Sequence, residues 1–197
     1  MANFKPYLLG AGLLALGNSA LLAEVTTATD PDTGLASWHL QQHDFSLQLI
    51  QRLPDQTRAF FQARGFSKKV ADQIATHCVL QAIGKNTSHA PDGASIEYNL
   101  ADWQVRVNGQ LQRIKLKSDW EREWAQDRSV SKASRIAFRW ATFPSQQNFE
   151  PDGDFNWGMI SFGLPPGSQF DLKVVWRQNQ QLRQQWIPQI LCPNDQS

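Results

Sequence analysis

Cys78 and Cys192 are the two cysteines of the chain, 114 positions apart, so a bond between them would close a loop over more than half of the sequence. Whether they pair depends on the compartment, because thiols stay reduced in a cytosol and oxidise outside it. The first 23 residues bear on that choice. "MANFKPY" carries one cation, Lys5, and no acid; "LLGAGLLAL" is an apolar run of nine; Gly17 and Asn18 then break it, and small residues lead to Ala20 and Ala23. A charged start, an apolar middle and small residues before the cut are the order of a secretory signal, with cleavage expected after Ala23. The run falls short of the roughly 20 residues a membrane-spanning helix needs. No cysteine adjoins the cut, which argues against a lipoprotein. In an exported chain an even cysteine count reads as a bridge, and one closing so long a loop contributes about 4–5 kcal/mol through the entropy of the unfolded chain. The expected localisation is periplasmic or secreted.

Charge narrows the partners. Of 19 basic and 18 acidic residues only Lys5 precedes the cut, leaving 18 of each. A balanced surface gives no overall electrostatic reason to bind nucleic acid or anionic lipid. No later segment is apolar enough to cross a membrane.

Residues 24–43, with the turn-forming "DPDTG", read as a leader or linker. Residues 44–86 read as a helical subdomain. Asp44 caps an expected first helix with Phe45, Leu49, Ile50 and Leu53 on one face. Pro54 opens a second that stops at Gly65. Ser67 caps a third, running to Gly84, with Val70, Ile74 and Cys78 at spacings of four. A bridge from that helix to Cys192 would tie the C-terminus to the first half of the fold.

Residues 94–197 read as an antiparallel, β-rich region that packs with the helices as one compact domain. Asn108-Gly109 between alternating runs is a strong hairpin signal. A two-residue loop there pairs Val107 with Gln110 and Trp103 with Ile114. Ser118 and Glu121 are spaced as a capping box for a short helix bearing Trp120 and Trp124. "SRIAFRWATF" alternates as a strand, with Ile136, Phe138 and Trp140 on one side. "WGMISFGL" and "FDLKVVWR" are further strands, and "RQNQQLRQQW" suits a polar hairpin surface.

"LPPGSQFDLKV", Leu164 to Val174, resembles the corner before a late strand in fibronectin-type and immunoglobulin-like sandwiches. The resemblance covers 11 residues, has Phe170 where those corners place Tyr, and implies a sandwich-like architecture without a function. The fold expected is α+β, with short N-terminal helices packed on an antiparallel β-sandwich-like C-terminal half.

Candidate chemistry is sparse. In "PDGDFNWGM", Asp152, Asp154 and Asn156 are spaced two apart, as in a calcium loop, and Trp157 follows. Counting from Asp152, the sixth position is Trp157 and the twelfth Gly163, where a helix-loop-helix calcium site needs Gly and Glu. The stretch is a possible ligand loop, or an ordered turn with Phe155 and Trp157 tucked inward. His39 and His43, four apart, are weak metal candidates as ligands on one helix face. Ser161 lies in "GMISFG", which misses the nucleophile-elbow pattern. The carboxylate pairs Glu121/Glu123 and Asp152/Asp154 carry no information on separation across a sugar. No catalytic residue is assigned and no cofactor is implied. The function expected is an exported, non-catalytic binding or accessory protein recognising a protein or envelope partner. The alternatives are a small exported hydrolase, or a calcium- or carbohydrate-binding module using residues 151–158.

Overall fold

The computed structural model describes residues 23–90 and 92–195; the expected signal lies outside the described residues, save Ala23 at its end. The first half holds strands β1 (Glu24–Thr29), β2 (Ala36–Gln42) and β3 (Phe45–Gln51), helices α1 (Pro54–Gln62) and α2 (Lys68–Ala75), then β4 (Val79–Asn86), β5 (Ile96–Asn99), β6 (Gln104–Val107) and β7 (Gln110–Arg113). Helices α3 (Lys117–Glu123) and α4 (Lys132–Ala141) follow, then β8 (Gln146–Phe149), β9 (Phe155–Ser161), β10 (Gln169–Gln178) and β11 (Gln181–Leu191).

Two antiparallel sheets face each other. One runs β1-β2-β3-β4-β9; the other runs β7-β6-β10-β5-β8, with β11 on the free side of β10. Their inner faces share one core, in which Leu47, Leu49, Leu80 and Ile160 of the first sheet meet Ile96, Val105, Leu172 and Trp176 of the second. The Phe45 and Trp176 rings, 4.8 Å between centroids, join the sheets directly. The helices build a second core on the outer side of the first sheet: Phe61, Phe66, Val70, Trp120, Trp124 and Phe138 cover Val79 and Met159. The fold is α+β with a sandwich-like pair of sheets, as the sequence pattern predicts. No described helix is long and apolar enough to cross a membrane.

Several segments differ from their predicted state. The expected leader is β1 and β2, and the expected first helix is β3. "FSLQLIQ" satisfies a helical face on paper, but strict alternation buries Phe45, Leu47, Leu49 and Gln51 and leaves Ser46, Gln48 and Ile50 half-buried. The expected third helix stops at Ala75, and the chain turns into β4, where Leu80, Ala82 and Gly84 face the core. "SRIAFRWATF" is mostly helix α4 rather than a strand. The Ser131 hydroxyl caps it by accepting from the Ser134 N–H at 3.0 Å, and Ser134, Phe138 and Ala141 form its buried stripe. Helix α3 starts one residue before Ser118, and Asp119 caps it by accepting from the Leu116 N–H at 2.9 Å.

Other expectations match in detail. The Asn108-Gly109 hairpin pairs Val107 with Gln110, with φ of 49° and 79° at the two loop residues. Trp120 and Trp124 lie side by side, 5.3 Å between centroids. Cys78 and Cys192 are bonded. Cys78 sits between α2 and β4 rather than on a helix, and Cys192 directly follows β11. The bridge therefore fastens a strand of the first sheet to the last strand of the second.

Candidate functional site

The turn between β8 and β9 carries the possible ligand loop. Asp152 adopts φ of 73° at its tip, where its N–H donates to the Ser88 carbonyl at 2.9 Å. The Asp154 carboxylate accepts from the Glu150 N–H at 3.2 Å, and the Asn156 amide oxygen accepts from the Trp157 N–H at 2.8 Å. Asp154 thus closes its own turn, the ordinary use of such a residue, while Asn156 bonds its neighbour within β9. His39 lies on β2, with its Nε2 2.8 Å from the Ser46 hydroxyl, and His43 sits in the β2–β3 turn at φ 49°. The shared helix face that made them metal candidates does not exist. Among the described residues, no three His, Cys, Asp or Glu side chains gather as a metal site.

The tryptophans divide by exposure, with Trp186 of β11 half-buried beneath the Arg106 guanidinium. Trp38, Trp103, Trp120, Trp124 and Trp176 are buried, whereas Trp140 is 85% exposed and Trp157 47% exposed. Trp157 was expected inside with Phe155, but Phe155 is also exposed. The reason is register. Residues 156, 158 and 160 of β9 face the sandwich core; 155, 157 and 159 face the helical side, where the helices reach only as far as Met159. Phe155 and Trp157 continue that row beyond the helical cover.

Helix α4 delivers Trp140 to the same side. Thr142, just after it, bridges Met159, and the Phe143 N–H donates to the Met159 carbonyl at 2.8 Å. The approach needs Gly158: a Cβ there would lie 2.3 Å from the Phe143 nitrogen. With Phe138 and Ala141 turned to the core, Trp140 and Ile136, one turn apart, point outward. Exposed aromatic and aliphatic side chains thus stand on α4 and on β9, the edge strand of the first sheet. A spacing of two on β9 and four on α4 shows this only once each segment's secondary structure is known.

A second arrangement escaped the sequence. His77, Arg113, Lys115, Asp119, Arg122 and Glu123 line an open cleft of about 360 Å³ at the start of α3. Asp119 is gripped by Arg113 and Arg122, and the Arg113 guanidinium holds its carboxyl at about 2, below the usual 3.8. Lys115 pairs with Glu123, and its ammonium sits 4.0 Å from the centre of the Trp120 ring. The His77 ring stands edge-on to Trp120, and burial, with Lys115 nearby, pushes its pKa down. Both acids are therefore engaged by cations. The Ser161 hydroxyl is enclosed and has no hydrogen-bond partner among the described residues, so it forms no pair with His77. A second concavity, of about 560 Å³, lies on the outer face of the second sheet and is lined by polar side chains including Glu97, Asn99, Asn148 and Arg177. No protein-family model, curated protein or solved structure matches this chain.

Proposed function

We propose that this chain is an exported, non-catalytic binding or accessory protein, periplasmic or secreted, that recognises a protein or envelope partner through the face bearing Trp140, Phe155 and Trp157. The observation that carries the reading is the exposure of those rings, 85%, 59% and 47%, beside the half-exposed Ile136. Large rings left in solvent on the helical side of the first sheet offer apolar area to a partner, and Trp is prominent among residues that anchor interfaces. The closed Cys78–Cys192 bridge supports export, since such bonds persist outside reducing compartments.

A photo-crosslinking residue placed at 140 or 157, in the protein's own host, tests the reading. Discrete adducts, to protein or to lipid, are expected there and not from a control at Leu182, which is 62% exposed on the β10–β11 hairpin. Equal or no labelling at all three positions refutes it. One observation favours the alternative of a small hydrolase: the cleft that brings His77 beside Asp119 and Glu123. It ranks second because both acids are neutralised by cations, while His77 has no hydrogen-bonded hydroxyl to activate among the described residues.

A further inference from the structure

We infer that the partner of the α4 part of this face, around Trp140, is an anionic lipid surface. The inference rests on the binding reading above and names its occupant. Balanced overall charge conceals a local asymmetry on α4. Its ten residues include Lys132, Arg135 and Arg139 and no acid. Lys132, Ile136, Arg139 and Trp140 share its outward side, so cations alternate with apolar groups about one turn apart.

The pairing around α4 compensates about half of that charge. Arg139 meets Glu121 at 2.5 Å. Arg135 donates to the carbonyls of Trp124 and Asp127, which are dipoles and do not cancel a full charge. Lys117 donates to the Arg139 carbonyl at 3.0 Å and adds a fourth cation at the C-terminal end of the helix. Across α4 and the residues it touches, four cations thus stand against Glu121 and Asp127.

An interfacial helix mixes Trp with Lys and Arg because the indole sits at headgroup depth while the cations meet lipid phosphates. Each such cation near an anionic surface contributes about 1 kcal/mol. Trp140 meets this description with its ring almost wholly in solvent, and neither cleft described above includes it. A wide planar partner suits an open aromatic surface better than a ligand that must be enclosed.

Flotation of the purified, disulfide-bonded protein with lipid vesicles tests this. Vesicles of phosphatidylcholine and phosphatidylglycerol in equal parts should bind at least tenfold more protein than phosphatidylcholine alone. Binding should weaken as salt rises, because screening shortens the reach of the charges. Lys132→Glu should weaken it about tenfold or more, and Trp140→Ser should weaken it also, with urea midpoints unchanged; Leu182→Ser should leave it intact. Failure to bind anionic vesicles overturns the inference, as does binding that Lys132→Glu and Trp140→Ser leave unchanged. Discrete protein adducts at 140 without vesicle binding overturn the lipid assignment and keep the binding reading. Absence of both overturns the two together.

Discussion

At the scale of single residues, Asp119 and Gly158 do the most to hold the helical layer in place. Asp119 is buried, caps α3 and ties Arg113 and Arg122, so Asp119→Asn should cost about 1–2 kcal/mol by urea titration, discounted because both arginines are exposed. Its folded-state carboxyl near 2, against an ordinary 3.8, sets a pH window. The stabilisation is complete above about pH 4 and disappears as pH falls through about 2, because the unfolded chain takes up the proton first. Urea midpoints of the native protein should therefore fall across that window more steeply than those of Asp119→Asn. His77, pushed below 6.5 mainly by burial, acts in the same direction at milder acidity: its contribution is present above pH 6.5 and declines below it. Gly158→Ala sets a methyl against the backbone at Thr142 and Phe143. It should destabilise by about 3 kcal/mol and raise amide exchange at Phe143, whose N–H bonds across that gap. None of this could be read in advance. "GMIS" gives no hint that a backbone passes so close, and Asp119 and His77 meet only through a fold that joins residues more than 40 positions apart.

At the scale of elements, legibility followed the strength of the local signal. The Asn108-Gly109 hairpin was readable because two adjacent left-handed residues favour that dipeptide. The alternation of "FDLKVVWR" was readable because Phe170, Leu172, Val174 and Trp176 have no competing helical arrangement. β3 and α4 were misread because each short apolar set fits both periods. In α4 the deciding contact is distant: Phe138 packs 5.6 Å from Phe61 and 4.9 Å from Trp124, and only a helix lets Ser134, Phe138 and Ala141 share that side. The misreading also hid the exposed surface, since a strand would have buried Ile136 and Trp140 with Phe138. Stability supplies a check. Ile136→Ser and Trp140→Ser should each shift unfolding free energy by no more than about 0.5 kcal/mol, whereas Phe138→Ala should cost about 3–5 kcal/mol. Equal costs at the three positions would return the segment to a strand.

At the scale of the whole molecule, two cores share the first sheet, and the tail fastens them. Beyond the disulfide, Gln51 donates to the Leu191 carbonyl at 2.7 Å, and Arg58 of α1 meets Asp195 at 2.5 Å. Reduction should therefore loosen the junction of both sheets with α1. Cys78→Ala/Cys192→Ala should lose about 4–5 kcal/mol by loop entropy, read as a lower urea midpoint that added reductant does not lower further. The pairing was legible because two cysteines allow one partner each; its place in the architecture was not, because Cys78 sits at a strand entrance that the sequence disguised as helix. The position of the bonded residues also governs assembly in time. Cys192 leaves a ribosome 114 residues after Cys78, and at about 5–20 residues per second that is a wait of roughly 6 to 23 s. Mispairing within one molecule is ruled out by number, so the hazard during biosynthesis is intermolecular: an unfinished chain whose lone thiol captures a neighbour's before its own partner has emerged.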